Sequence, residues 1–297
     1  MSDDWYPEGL EDDVRPRLIV AARSGVTCAL ATLVAAQGGP RPAGSQMVVT
    51  GDQAWGYLSG GCIEPDVILH ARNVIADGET RRLVYGEGSP FLDLRLPCGG
   101  RLDVAIERVL PDDPRATALA AAWDARDPFV WPVDGGGEVA FTPLPRLLVI
   151  GGDPFALAIA DAGRALGWDV TLNLPFGPEA QPPVAVGYSR ASSARAVPEL
   201  APDRWTAIAV ATHDLEIDHD ALVAALNSNA GYVGVLGARK RLPERLERLR
   251  AAGVSEEKLA KLRAPLGLKI AAATPRETAI STLAEIIAVF RGGVAAG

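Results

Sequence analysis

From residue 146 onward the chain alternates short apolar runs with helical segments, and that alternation constrains the fold more than any other feature. Residues 147–150 read as a buried strand, followed by Gly151-Gly152 and a helix to about residue 166. A second strand is expected at 169–174. After a proline-rich stretch come a buried strand at 205–211, a helix at 219–227, a strand at 231–236, a charged helix at 239–252 and a last helix at 275–290. Strands that alternate with helices predict a doubly wound parallel sheet, a Rossmann-like domain.

The first half has a different grammar. A short amphipathic helix is expected at 11–24, then strands at 26–36, 46–50 and 54–58, a helix at 64–77, and strands at 81–85 and 101–109. Neighbouring strands without helices between them predict an α+β unit with a mixed or antiparallel sheet. Residues 111–145 read as a connection with a helical piece at 116–125. The expected class is therefore α/β, with an N-terminal α+β domain over 1–145 and a Rossmann-like domain over 146–297.

Charge limits the partners. With 29 Lys and Arg against 37 Asp and Glu, the net charge is −8, which argues against nucleic acid as the main partner. Residues 1–5 are acidic and carry no apolar signal core. No run approaches the length of a membrane span. A cytoplasmic location without a membrane partner is the expectation. Three widely spaced cysteines make no disulfide framework. Cys28 lies in an apolar run and reads as core.

Cys62 and Cys98 are different. They stand in Ser59-Gly60-Gly61-Cys62-Ile63-Glu64 and Leu96-Pro97-Cys98-Gly99-Gly100. Paired glycines permit tight turns and close approach of another group. The matching settings predict that the two thiols face a shared cleft. Cys62 immediately precedes a helix, whose N-terminus favours a thiolate. Glu64 reads either as a proton donor and acceptor or as a first-turn acid.

The dinucleotide fingerprint is degraded. Its three glycine positions are Gly151, Asp153 and Ala156, and the acid that binds ribose falls at Asn173. Asp153 places a carboxylate where a pyrophosphate would lie, which argues against NAD(P). Two later loops are candidates at the same sheet edge. Thr212-His213-Asp214 either supplies an imidazole able to move protons near neutral pH or is a capping loop in which Asp214 or Asp218 starts the next helix. In Gly237-Ala238-Arg239-Lys240-Arg241, Arg239 is the favoured anion-binding cation. A metal site built by the protein is not expected, because no second histidine or cysteine lies close by.

Taken in order, these segments resemble the XdhC/CoxI family, the maturation factors of xanthine dehydrogenase-type molybdenum hydroxylases. The likeness extends through Pro40-Arg41-Pro42-Ala43-Gly44, Ala264-Pro265-Leu266-Gly267-Leu268 and Thr274-Pro275. The resemblance implies an accessory factor rather than a turnover enzyme. Such a factor binds molybdenum cofactor, in its molybdopterin form or as a dinucleotide, holds it during sulfuration and delivers it to an apo-hydroxylase. It also implies a homodimer, a client molybdenum hydroxylase and a cysteine desulfurase as partners. Gly60, Gly61, Cys62, Cys98 and Gly99 would then bind cofactor, with Cys62 and Cys98 near its metal or sulfur end and Glu64 and His213 as further catalytic candidates. Thr212, His213, Asp214, Gly237 and Arg239 would bind it from the Rossmann-like domain. The family's Gly-Ala-Gly-His-Val-Gly turn is replaced here by Gly151-Gly152-Asp153-Pro154-Phe155-Ala156. The rival readings are an NAD(P)-dependent oxidoreductase and a degenerate interaction protein of the same family.

Overall fold

The computed structural model describes residues 11–89, 96 and 99–292. The chain divides into two compact units, Met1–Pro143 and Leu144–Gly297.

The first unit runs α1 (Arg15–Arg23), β1 (Cys28–Gln37), β2 (Gln46–Val49), β3 (Ala54–Gly56), α2 (Glu64–Asp77), β4 (Arg81–Gly86), β5 (Arg101–Val109), α3 (Pro114–Ala125), β6 (Phe129–Pro132) and β7 (Glu138–Phe141). Its main sheet is antiparallel, in the order β3-β2-β1-β5-β4. β1 is buried on both faces over residues 28–33, which explains why it reads as an apolar run rather than an alternation. Ala29, Ala31 and Leu33 pack towards α2 with Val67, Ala71 and Val74. Cys28 and Leu30 pack on the opposite face with α1, α3 and Trp131.

Residues 111–145 are not a mere connection. α3 and the β6–β7 hairpin complete that second face, and Trp131 is fully buried there. Its indole donates to buried Glu107 (2.8 Å), which also pairs with Arg115 at 2.6 Å. The hairpin is thus fixed to β5 through a polar contact that local patterning does not reveal.

The second unit runs β8 (Arg146–Ile150), α4 (Pro154–Ala165), β9 (Asp169–Asn173), β10 (Gly187–Ser189), α5 (Ser193–Leu200), β11 (Thr206–Val210), α6 (Leu215–Leu226), β12 (Tyr232–Val235), α7 (Leu242–Ala251), α8 (Glu256–Leu259), β13 (Leu262–Arg263) and α9 (Pro275–Phe290). All its strands are parallel, in the order β10-β9-β8-β11-β12-β13. The chain winds outward from β8 to β10, then crosses back to continue from β11. The strand order therefore reverses between β8 and β11, where such sheets bind ligands. Leu147 and Val149 face one core layer while Leu148 and Ile150 face the other.

Several boundaries move for identifiable reasons. α6 begins at Leu215, four residues before the expected start, because Asp214 is its N-cap, accepting from Glu216 N and Ile217 N. The expected helix at 239–252 splits into a short 3-10 turn, Arg239–Arg241, and α7, with Pro243 in the first turn. The proline-rich stretch contains β10 and α5, neither of which was expected. Among the described residues no helix is long and apolar enough to cross a membrane.

Candidate functional site

In the first unit the turn before α2 is built around a carboxylate. Glu64 is fully buried. Its Oε1 accepts from the amides of Leu58 (2.9 Å), Ser59 (2.6 Å) and Gly60 (3.1 Å). Its Oε2 accepts from the Ser59 hydroxyl (2.7 Å) and from the amides of Gly61 (2.8 Å) and Ile63 (3.2 Å). Ser59 Oγ in turn accepts from the Cys62 and Ile63 amides. Burial pushes the Glu64 carboxyl up, but the Ser59 hydroxyl and the Ser59 and Leu58 amides outweigh it and hold the group below the usual carboxylate range. Gly60 (φ 91°) and Gly61 (φ 108°) supply the left-handed backbone that turns these amides inward, and a Cβ at either position would meet nothing within 4 Å. Conformation rather than space requires glycine there.

This corrects two expectations. Glu64 is not placed to exchange protons with a ligand, because it is buried and held ionised by its hydrogen bonds. The Gly60 and Gly61 amides bind Glu64, so they are not free for an anionic cofactor. The amides of residues 58–63 go to Glu64 and Ser59, and Cys62 stands immediately before the cap of α2, as expected. What the turn presents is the exposed thiol of Cys62. Cys28 is buried, as expected, and burial pushes its thiol up to about 12. Cys98 lies outside the described residues, and with it the expected shared cleft. Gly99 is exposed, its amide donating to Leu96 O at 2.9 Å. Gly100 approaches β1 so closely that a Cβ would stand 2.4 Å from Gln37 O.

In the second unit three loops leave the carboxyl edge of the sheet. The turn after β8 passes so close to β11 that a Cβ on Gly151 would stand 2.0 Å from Ala211 O. Asp153 caps α4, with Oδ1 accepting from Ala156 N at 2.8 Å. Pro154, first in the helix, has no N–H to offer. The amide that a pyrophosphate would use is therefore taken by the chain's own carboxylate. At the end of β9, Asn173 is fully buried and donates to Ser189 O and Ala191 O while accepting from Ser193. It braces β10 and α5 and offers nothing to a ribose.

The second loop follows β11. His213 is 79% exposed, and its Nε2 lies 2.9 Å from Asp153 Oδ2. The two groups are close enough to pair as ions but lack hydrogen-bond alignment, so Oδ2 is left buried without a hydrogen bond. Thr212 and Asp214 serve the scaffold. The Thr212 hydroxyl donates to Asp218 Oδ1 at 2.8 Å and Asp214 caps α6.

The third loop follows β12. Arg239, Lys240 and Arg241 are exposed, with no ion pair to any described carboxylate. Behind them lies a contact that sequence reasoning missed. Arg245 donates to buried Asp218 Oδ2 at 2.8 Å, and its guanidinium lies 3.3 Å from where a Gly237 Cβ would stand. Asp218 thus braces the second loop through Thr212 and the third through Arg245. Burial pushes its carboxyl above the ordinary range, against the Thr212 hydroxyl and the Arg245 charge. Only the charge alternation along α7 hinted at Arg245, and it gave no partner. His213 and Arg239 emerge at the same edge, but His213 contacts the β8 side while Arg239 stands beyond β11. Of the expected site residues with described side chains, Cys62, His213, Asp214 and Arg239 are exposed, and Asp214 is already engaged as the cap of α6.

The chain is similar to known proteins along most of its length. Residues 147–286 match the XdhC Rossmann domain and residues 21–86 match the XdhC and CoxI family. The molybdenum cofactor insertion chaperone PaoD of Escherichia coli (strain K12) is 31% identical over 305 residues, covering 94% of this chain and 90% of PaoD. The uncharacterized protein YqeB of the same organism is 36% identical over 151 residues, covering 49% of this chain and 27% of YqeB. A crystal structure named as a xanthine dehydrogenase from Bacillus halodurans aligns with a TM-score of 0.73 at 22% identity, covering 95% of this chain and 97% of that one. At that identity the likeness speaks to the fold.

Proposed function

The chain belongs to the XdhC/CoxI family, and from that premise we propose that it is a molybdenum-cofactor chaperone. In this reading it holds the cofactor as cargo while the terminal sulfur ligand is installed, then delivers it to a client molybdenum hydroxylase. A cysteine desulfurase supplies the sulfur, and the chaperone works as a homodimer in the cytoplasm. The support comes from the 31% identity to a cofactor insertion chaperone across nearly the whole chain.

The chain's own residues fit this role unevenly. A soft thiol suits a molybdenum or sulfur terminus, and Cys62 presents one on a turn whose shape is fixed from beneath. Arg239 offers a planar fork of donors to a phosphate. His213 supplies an exposed imidazole for hydrogen bonding or proton movement. Cys98 is assigned on its glycine setting in the sequence and on the family resemblance. Thr212, Asp214, Asp218, Glu64 and the glycines position these groups.

The NAD(P)-dependent oxidoreductase reading is opposed by the Asp153 cap, Pro154 and the internal role of Asn173. The deciding experiment is metal and mass analysis of protein purified from a cofactor-replete host. Molybdenum and pterin in the wild type, both reduced in C62S, support the chaperone. Bound NAD(P) without pterin overturns it.

A further inference from the structure

The carboxyl edge between β8 and β9 carries two features that the cargo reading leaves unused. One is Asp153 Oδ2, a buried carboxylate oxygen without a hydrogen bond. The other is Phe176, which is 93% exposed and held at φ 59°. A bulky residue rarely adopts that backbone, so the turn around it must enforce the conformation. Gly177 N donates to Leu174 O at 2.9 Å, and Tyr188 Oη donates to Pro178 O at 2.9 Å. The aromatic ring is presented on a braced turn.

The two features are neighbours. A Cβ on Gly152 would stand 2.5 Å from Leu174 Cδ2, and a Cβ on Gly177 would stand 2.9 Å from the same atom. Leu174 is thus pressed between the glycine before Asp153 and the glycine after Phe176. The loop that carries the carboxylate and the loop that carries the exposed ring are therefore packed together at the carboxyl edge of the sheet.

A phosphate is the wrong ligand for that edge, because the carboxylate repels it. A planar ring suits the face of Phe176, and an N–H edge suits Oδ2. We propose that Asp153 and Phe176 bind a 2-amino-4-pyrimidinone ring, whose edge of adjacent N–H donors pterins and guanine share. The ring lies on Phe176, and its N–H takes Oδ2 as the exposed His213 swings aside. The unpaired cations at Arg239–Arg241 follow β12, two strand spacings or roughly 10 Å from β8. The ligand's ring therefore sits where a dinucleotide's pyrophosphate would, and its phosphate points towards β12. This inference rests on the cofactor reading for the identity of the ring.

Calorimetric titration of the full chain with 6-hydroxymethylpterin, GMP and CMP tests it. CMP lacks adjacent donors. The pterin should bind, D153N should weaken it at least tenfold, F176A about fivefold, and F176Y should restore it. Circular dichroism checks that each variant is folded. GMP binding lost in the same variants also supports the site and assigns it to guanine. Wild-type pterin affinity in folded D153N and F176A, no binding of pterin or GMP to the wild type, or equal binding of CMP overturns the inference. Molybdenum and pterin content of the purified wild type is measured separately: a loaded wild type with unaffected variants leaves the chaperone reading intact and removes only this site.

Discussion

Replacing Glu64 by Gln isolates the charge that shapes the cysteine turn while keeping the side chain's size. The carboxylate accepts from six donors. An amide has one oxygen, so its NH2 must face one set of three. On the Oε1 side those are three backbone amides. On the Oε2 side they are two amides and the Ser59 hydroxyl, which can rotate to accept. The better orientation still removes two bonds to the carboxylate: the Gly61 amide loses its acceptor and the Ile63 amide keeps only Ser59 Oγ. At about 1.5–3 kcal/mol for each hydrogen bond to a charged group, the loss is about 3–6 kcal/mol. For a unit of this size that is a fall in Tm of more than about 10 °C. Urea unfolding followed by tryptophan fluorescence measures it, and Trp55, Trp123 and Trp131 all report on the first unit. The effect must also depend on pH. Because the folded carboxyl titrates below the usual range, its contribution is complete above the ordinary carboxylate pKa and is lost as pH falls through the lowered value. The gap between wild type and E64Q should therefore be full at pH 7 and close in acid. A loss below about 1 kcal/mol, or a gap of equal size in acid, would refute the account of the turn.

Gly61→Ala meets no atom but must hold φ at 108°, so it should cost about 1–2 kcal/mol in the same melt. Arg245→Ala strands the Asp218 carboxylate and should cost the second unit about 3–5 kcal/mol at neutral pH. Like the E64Q gap, this one should close in acid: burial raises the Asp218 carboxyl, so R245A protein should regain stability relative to wild type as acid protonates it. The wild type should show no micromolar binding of NAD or NADP by calorimetry, since like charges about 4 Å apart repel by about 1–4 kcal/mol, or one to three decades in affinity. A micromolar constant abolished by mutation near Gly151 would contradict this.

The elements legible in the sequence are those whose signals are local. α2 and α9 follow helical spacing, and α9 opens with Thr274 and Glu277 in a reciprocal capping box. β5 forms over the expected range and alternates over Arg101–Val104, while Ala105 and Glu107 are buried on its other face. The hairpin was hidden because Trp131 and Glu107 are partners 24 positions apart. α5 was hidden by its own Pro198 and the prolines before it. At the candidate site the residue types were visible, but which of them face outward was not. Glu64 and Thr212 have the chemistry of a site, yet the fold turns both to its own support. The Asp218–Arg245 brace spans 27 positions and exists only once α6 and α7 pack together.

Every partner of the Glu64 carboxylate lies between Leu58 and Ile63, within six positions of it. The turn is therefore a self-contained cassette, closed by short-range contacts of the kind that form early in folding. It needs a helix on its C-terminal side and cover over one carboxylate, and little else. Such a segment is portable. Grafted ahead of a buried helix in an unrelated scaffold, the seven residues 58–64 would be expected to rebuild the same curl and present a cysteine at its crest.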